Sequence, residues 1–251
     1  MLLKSLRNLS GTSRSDAANA NLGYCLAFIA GAINAGGFLA VGQYTSHMTG
    51  IVSSMADNIA LGAYSLTLLG FGILVSFTIG AALTAILVNY SKRHKRHSTY
   101  AFPLLLEAML ILVFGVLGTL MKAHESIMIT LIILLLSFIM GLQNAVITKL
   151  SKAVIRTTHI TGIVTDIGIE LGKLCYRNDT KNQLPKVVAD LKRLKVLSLL
   201  VFSFFIGGLI GAIGFKTIHY YTTLPLALFL IILAILPVWD DFNRRQNAPT
   251  H

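Results

Sequence analysis

Two histidines stand in two nearly identical polar motifs, which contain most of the residues that could bind a solute or carry a proton. Residues 45–52 (the first motif) read Thr-Ser-His-Met-Thr-Gly-Ile-Val and residues 157–164 (the second motif) read Thr-Thr-His-Ile-Thr-Gly-Ile-Val, so six of the eight positions are identical. An imidazole can carry a proton or donate a hydrogen bond near neutral pH, and threonine hydroxyls can cap a helix by accepting from its first N–H groups. Helix N-termini favour an anion or the negative end of a dipole. The motifs therefore predict a binding site, with candidate residues Thr45, His47, Thr49, Gly50, Thr157, His159, Thr161 and Gly162.

The duplication extends beyond the motifs, which indicates that the chain consists of two copies of one unit. Gly-Ala-Ile-Asn-Ala at residues 31–35 precedes the first motif, and Gly-Leu-Gln-Asn-Ala at residues 141–145 precedes the second. Later in each half, Ser-Phe-Thr-Ile-Gly at residues 76–80 resembles Ser-Phe-Phe-Ile-Gly at residues 203–207. The repeating unit is roughly 110 to 125 residues long. We accordingly divide the chain into an N-terminal arm, two halves and a C-terminal tail, at residues 1–20, 21–122, 123–239 and 240–251.

The composition places the chain in a membrane. Of its 251 residues 55% are hydrophobic and 12% are charged, with a mean hydropathy of +0.73, whereas a water-soluble domain carries about a quarter charged residues. The formal net charge of +11 comes from short basic runs between apolar stretches. Such residues fix topology, so we expect no nucleic-acid partner. Cys25 and Cys175 show no pairing or metal-binding spacing, and we expect neither a metal nor a cofactor.

Six stretches are long and apolar enough, or nearly so, to cross the bilayer as helices of about 20 residues. They are residues 22–41, 64–88, 101–120, 127–147, 196–215 and 224–238. Two shorter and more polar segments, residues 47–61 and 158–174, contain most of each motif. The predicted fold is therefore all-α and integral to the membrane, with six transmembrane helices plus two short motif helices.

The basic loops predict that the two halves are inserted in opposite orientations. The strongest basic run, residues 91–97, and the stretch from Lys173 to Lys195 should both be cytoplasmic, as should both termini. Six spans satisfy all of these assignments if the motif segments do not cross the bilayer fully. Equivalent loops of the two halves then carry opposite charge bias, which is typical of a 3+3 inverted repeat. The alternative is an eight-span parallel repeat, in which both motif segments cross.

Further polar residues in or beside the apolar segments are candidates for the same site. Asp57 and Asp166 follow the motif glycines at helical offsets that share one face, and Asn34 and Asn144 place amides in the first span of each half. Each has a structural alternative, since the aspartates could be solvated near a membrane surface and the amides could join helices. Glu107, inside the third span, is a candidate for proton or ion coupling, with solvation near the start of its helix as the alternative.

Four short motifs carry a family resemblance. They are Gly-Ala-Ile-Asn-Ala at residues 31–35, His-Met-Thr-Gly at 47–50, Arg-Thr-Thr-His-Ile-Thr-Gly at 156–162 and Thr-Asp-Ile-Gly at 165–168. Through them, and over nearly its whole length, the chain resembles the bacterial YoaK-type integral membrane family, a domain of unknown function. It departs from that family's usual pattern at two positions. In the family an asparagine usually follows Thr-Gly, whereas this chain has Ile51, and the family has an acidic residue upstream, whereas this chain has Asn34. The resemblance implies a bacterial cytoplasmic membrane as the location.

The predicted function is transport. An inverted repeat with two segments that end inside the membrane is typical of transporters and channels. We expect a small polar solute or ion to bind near the midplane, between the paired Thr-His-x-Thr-Gly sequences. The alternative is a non-transporting membrane protein that binds a lipid or a partner subunit, with the histidines as packing residues. We do not expect an enzyme, because no nucleophile with a base, metal cluster or phosphate-binding loop is visible. The bilayer is the expected environment, and homo-oligomerisation is left open.

Overall fold

The computed structural model describes residues 16–94, 99–120, 125–150, 159–178 and 185–246, and the regular structure in these ranges is entirely helical. The first half contains α1 to α4 and the second half contains α5 to α8. The helices are α1 Asp16–Val41, α2 Met48–Ala60, α3 Tyr64–Arg93, α4 Ala101–Leu120, α5 Glu125–Leu150, α6 Ile160–Cys175, α7 Leu191–Thr217 and α8 Thr223–Gln246, with a 3-10 turn at His219–Thr222 before α8.

Five helical segments among the described residues are long and apolar enough to cross a membrane. They are Asn19–Val41, Tyr64–Arg93, Ala101–Leu120, Ile127–Lys149 and Leu191–Thr217. These segments coincide with five of the six predicted spans, and the chain is therefore a multi-pass membrane protein by helix length and composition. The apolar segment His219–Ile235, which comprises the 3-10 turn and the first half of α8, is shorter than a full span, although α8 continues to Gln246. The sixth crossing stays a prediction.

The two motif segments form the short helices that the sequence predicts. Helix α2 has 13 residues and α6 has 16, which corresponds to about 20 and 24 Å at about 1.5 Å per residue. Both lengths are below the roughly 30 Å of the hydrocarbon core. Gly62, at a φ of 72°, permits the tight turn that folds α2 back onto α3. There Met55 lies over Gly70, where a Cβ would overlap its side chain.

The duplication is visible in the burial of the first helix of each half. Residues 21–37 of α1 and residues 131–147 of α5 have the same pattern of buried, half-buried and exposed positions at all seventeen places. The third helices agree in the same way, since Ile73, Gly80 and Thr84 are buried in α3 and Leu200, Gly207 and Gly211 are buried in α7. Equivalent positions of the two copies therefore occupy equivalent environments.

The two halves exchange packing partners, so that the first helix of each half lies against the third helix of the other. A Cβ on Gly31 of α1 would overlap the backbone of Phe204 in α7, and one on Gly207 of α7 would overlap the carbonyl of Phe28. The equivalent contact in the other pair is equally close, because a Cβ on Gly141 of α5 would overlap the carbonyl of Phe77 in α3. Small residues permit such backbone contact between membrane helices.

These contacts also give the relative directions of the helices. In the α1–α7 pair Gly31 lies by Phe204 and Gly36 lies by Phe215, so the two helices run parallel. Helices α3 and α5 run parallel for the same reason, since Gly72 meets Leu134 and Gly80 meets Leu142.

The first helices of the two halves run antiparallel to one another. The side chain of Gln143 in α5 donates to the carbonyl of Leu26 in α1, whereas Gly37 meets Leu136. The order of the contacts is therefore reversed along the two chains. Helices α4 and α8 are antiparallel by the same criterion, because Gly115 meets Thr223 and Gly118 meets Tyr220.

We predict that replacing glycine by alanine lowers the stability of the protein at closely packed helix positions and raises it at open ones. Gly141→Ala and Gly207→Ala should each destabilise the protein by about 1–3 kcal/mol through overpacking. Gly168→Ala, whose Cβ would meet nothing within 4 Å, should stabilise it by about 0.5–1 kcal/mol because alanine favours the helix. Thermal unfolding of the purified variants in detergent checks both signs. A stability loss of equal size in all three would contradict the backbone contacts.

Candidate solute-binding site

A cavity of about 680 Å³ lies between the two halves, and both motifs line it. Its lining residues come largely in equivalent pairs, one from each half. The pairs are Asn34 and Asn144, His47 and His159, Met48 and Ile160, Thr49 and Thr161, and Phe77 and Phe204. The remaining lining residues are Tyr44, Ser46 and Thr148. Two copies of one sequence thus build the walls of a single cavity.

The cavity lies at the middle of the long helices. Phe77 is the fourteenth residue of the 30-residue helix α3, and Phe204 is the fourteenth residue of the 27-residue helix α7. Each phenylalanine belongs to a glycine contact between the halves, since the carbonyl of Phe77 meets Gly141 and that of Phe204 meets Gly31. The contacts that join the halves therefore lie at the same depth as the cavity.

The histidine of each motif lies over the glycine three residues later. His47 and His159 are the N-cap residues of α2 and α6, and their carbonyls accept from Ile51 and Ile163 at 3.0 and 3.1 Å. A Cβ on Gly50 would overlap the ring of His47, and one on Gly162 would overlap the ring of His159. The spacing His-x-x-Gly thus leaves room for an imidazole at the start of each short helix.

The threonines do not cap the motif helices, and this part of the sequence prediction was wrong. The cap positions are occupied by histidines, and neither histidine side chain accepts from its helix. The hydroxyl of Ser46 donates to Oδ1 of Asn34 at 2.9 Å and so holds the first motif against α1. Thr45 is 1% exposed, and its hydroxyl has no hydrogen-bond partner in the described part of the chain. A serine two residues before the helix thus positions the motif.

The described lining offers hydrogen-bonding groups without fixed charge. It combines two imidazoles, two amides and several hydroxyls with the rings of Phe77 and Phe204. Of the described residues that line the cavity, none is a carboxylate, a lysine or an arginine. The N-termini of α2 and α6 lie at this cavity and carry partial positive charge. A neutral polar solute or an anion therefore fits this lining better than a cation does.

Neither Asp57 nor Asp166 lines the cavity, which favours the alternative in which these aspartates are solvated or paired outside it. Asp57 is exposed on α2, and Asp166 on α6 pairs with Arg193 at 2.9 Å. The physical reason is that a charged group that is exposed to water or paired with an arginine costs far less than an unpaired charge buried in the protein. Glu107 also lies outside the cavity and is fully buried, while Thr157 lies outside the described residues.

An ionic cluster joins α6 to the start of α7. Glu170 is 2% exposed, binds Lys173 at 2.8 Å and accepts from the backbone N–H of Asp190 at 2.8 Å. These two hydrogen bonds, that from Lys173 first, lower the pKa of Glu170 below its ordinary value and outweigh the opposing effect of burial. The ion pair of Asp166 with Arg193 adds a second link between α6 and α7.

Several lining residues were not identified from the sequence. Phe77 and Phe204 belong to the repeated Ser-Phe-x-Ile-Gly sequence, so their recurrence was a signal that could have marked them as equivalent. Tyr44 and Thr148 carry no such signal, because the second half has Arg156 and the first half has Phe38 at the matching positions. The ring of Tyr44 stacks on that of Phe38, with centroids 4.6 Å apart. Whether such residues line the cavity depends on which helices pack together, and the sequence does not show this.

Comparison with known proteins agrees with the resemblance in the sequence. The family model described as "Protein of unknown function (DUF1275)" matches residues 22–236. The chain is also similar to the UPF0700 transmembrane protein YoaK of Bacillus subtilis (strain 168), with 24% identity over 211 residues, covering 83% of this chain and 89% of that protein. No solved structure matches. Both matches extend over both motifs.

The contact between His47 and Gly50 predicts that Gly50→Ala lowers the stability of the protein when His47 is present and raises it when His47 is replaced by alanine. Gly50→Ala alone should destabilise the protein by about 1–3 kcal/mol, because the new Cβ overlaps the imidazole. In a His47→Ala background the same change should stabilise it by about 0.5–1 kcal/mol, because the helix gains an alanine. Thermal unfolding of the four proteins measures both values. The same effect in both backgrounds would show that the ring does not lie over Gly50.

The lowered pKa of Glu170 predicts an acid-dependent loss of stability. The ionised form is favoured by folding, so its contribution is fully present above the unfolded pKa of about 4.3 and is lost as pH falls through the folded value. Glu170→Gln should therefore be less stable than wild type at neutral pH, and the difference should shrink below about pH 4.3. Thermal unfolding against pH checks this, with the exposed Asp57→Asn as the control. A difference that does not change with pH would contradict the pairing.

Proposed function

The chain belongs to the DUF1275 family of uncharacterised proteins, and we propose that it is a transporter or channel that carries a small polar solute or ion across the cytoplasmic membrane through the cavity between its halves. The observation that carries this proposal is the cavity itself, whose polar lining comes in equivalent pairs from the two motifs. A site built at the interface of two repeats, near the middle of the membrane, is the usual arrangement in transporters with internal repeats.

The directions of the helices support a 3+3 inverted repeat with six crossings. If α1 crosses upward, then α7, which is parallel to it, also crosses upward, and α5, which is antiparallel to it, crosses downward. Helix α3 follows α5 downward, and α4 and α8 run opposite to one another. In the first half α1, α3 and α4 then cross up, down and up. In the second half α5, α7 and α8 cross down, up and down. In this arrangement α2 and α6 enter from opposite faces and begin at the shared cavity.

The charged residues support the same arrangement. In the proposed topology the end of α3, with Lys92 and Arg93, and the start of α7, with Lys192 and Arg193, lie on one side. Basic residues mark the cytoplasmic side of membrane proteins. Both chain termini then face the cytoplasm. The eight-span alternative would place these two groups on opposite sides.

The cavity favours transport over catalysis and over binding alone. In the described part of the chain neither His47 nor His159 forms an ion pair with a carboxylate, which a catalytic imidazole would use for orientation. Residues from both packed helix pairs line the cavity, so rocking of the α1–α7 pair against the α3–α5 pair would change access to it from each side. A lipid or a partner subunit bound without movement between the halves is the alternative.

We predict that both motif histidines are needed for solute binding. A thermal-shift screen of the purified protein against small anions, amino acids and sugars should find a stabilising compound, because a ligand at about 100 times its Kd adds about 2.7 kcal/mol. That corresponds to roughly 5–10 °C in Tm. His47→Ala and His159→Ala should each remove the shift. His94→Ala, at the end of α3 where the ring lies 2.9 Å from the carbonyl of Tyr90, is the matched control and should keep it.

Flux in proteoliposomes then separates transport from binding. The compound found in the screen should enter vesicles that contain wild type or the His94→Ala control, and not those that contain either motif variant at equal protein abundance. Unchanged flux in both motif variants would refute the shared site. A thermal shift without any flux would instead favour the alternative of a protein that binds without transporting.

A further inference from the structure

A buried carboxyl group lies in the core outside the cavity. Glu107 on α4 is 0% exposed, and neither of its carboxylate oxygens has a hydrogen-bond partner among the described residues. An ionised carboxylate in such a place would cost far more than an apolar core can offset. The neutral acid costs much less, provided that its proton finds an acceptor. The question is which group accepts it.

Gln143 on α5 supplies an acceptor of the right kind. It is 0% exposed, and its Nε2 donates to the carbonyl of Leu26 at 3.1 Å, while its Oε1 has no partner in the described part of the chain. An amide oxygen can only accept hydrogen bonds, and an ionised carboxylate likewise has no proton to donate. The second N–H of Nε2 reaches neither carboxylate oxygen of Glu107, and the amide oxygen can bond Glu107 only after Glu107 takes up a proton and becomes a donor.

The register of α4 and α5 places the two side chains at the same depth. The helices are consecutive and antiparallel, and the hydroxyl of Tyr100 donates to the carbonyl of Lys149 at 3.4 Å beside the start of α4. Counting seven residues inward along both chains brings Glu107 level with Leu142. Adjacent helices pack with their axes about 8–10 Å apart, a distance that two long side chains can bridge where they face one another.

The other half of the protein differs at both positions together. In the duplicated sequence Phe229 stands at the position equivalent to Glu107, and Ile33 stands at the position equivalent to Gln143. Ile33 is fully buried and Phe229 packs against the same core. One half therefore has two polar side chains where the other has two apolar ones. A joint difference of this kind is expected of residues that are partners, because either polar group alone would be left unsatisfied.

We propose that Glu107 and Gln143 form a proton-binding site in the membrane core, in which the carboxylic acid donates its proton to the amide oxygen. Helices α3, α5 and α8 and the 3-10 turn pack against α4, and among their described side chains the titratable groups lie only near the ends of these elements. These groups are Tyr64, Tyr90, Lys92 and Arg93 on α3, Lys149 on α5, and His219, Tyr220 and Tyr221 before α8. No described cation of these elements lies at the depth of Glu107.

The first test measures the proton. The unfolded chain releases it above about pH 4.3 whereas the folded protein keeps it, so the Tm of wild type should fall relative to that of Glu107→Gln as pH rises from about 5 to 8. Ser137→Ala removes another buried polar group of α5, whose hydroxyl binds Ile133 of its own helix at 2.7 Å, and should follow wild type at every pH. Parallel curves for wild type and Glu107→Gln would overturn the proposal.

The second test measures the pairing. Glu107→Leu and Gln143→Ile should each lower the Tm by several degrees, because each leaves one buried polar group without a partner. The double variant should lose less than the sum of the two, and strictly additive losses would overturn the pairing. Infrared spectra of wild type and Glu107→Gln at neutral pH give a readout that needs no destabilised variant. The difference should contain the carbonyl band of a protonated carboxylic acid, and a carboxylate band in its place would overturn the proposal.

Discussion

The close backbone contact between the halves is the constraint on which the rest of the structure depends. Gly31 and Gly207 in one pair of helices, and Gly80 and Gly141 in the other, allow carbonyl groups of the partner helix to lie where a Cβ would otherwise be. Lipid tails are as apolar as leucine, so membrane helices associate through such close packing and not through a hydrophobic driving force. The exchange of partners makes each half depend on the other for its fold.

The position of these contacts also accounts for the cavity. The phenylalanines that meet the glycines lie at the middle of α3 and α7, and the short helices α2 and α6 begin beside them. A chain that leaves helical structure inside a membrane must have its free N–H and C=O groups covered by protein or water. The facing halves provide that cover, and the polar ends of the short helices collect there. The lining of the cavity by His47 and His159 follows from this arrangement.

The two copies hold their short helices with different contacts. Helix α6 is tied to α7 by the ion pair of Asp166 with Arg193 and by the hydrogen bond that the backbone N–H of Asp190 donates to Glu170. Helix α2 is held on α3 by apolar contacts, and at the positions equivalent to the two acids the first half has Asn58 and Ser54. The two short helices are therefore held against their neighbours by different kinds of contact.

Local features of the sequence determined the existence and the approximate bounds of the helices. Five of the predicted spans, both short motif helices and the pairing of Glu170 with Lys173 follow from apolar length and from spacing along one helix. Tertiary structure alone decided that α1 packs on α7, that Asp166 meets Arg193, and that Phe77 and Phe204 line the cavity. The reason is physical: a glycine in an apolar helix permits close approach without specifying a partner, and the partner lies on a helix far along the chain. Only the matching of two whole helix surfaces makes that choice.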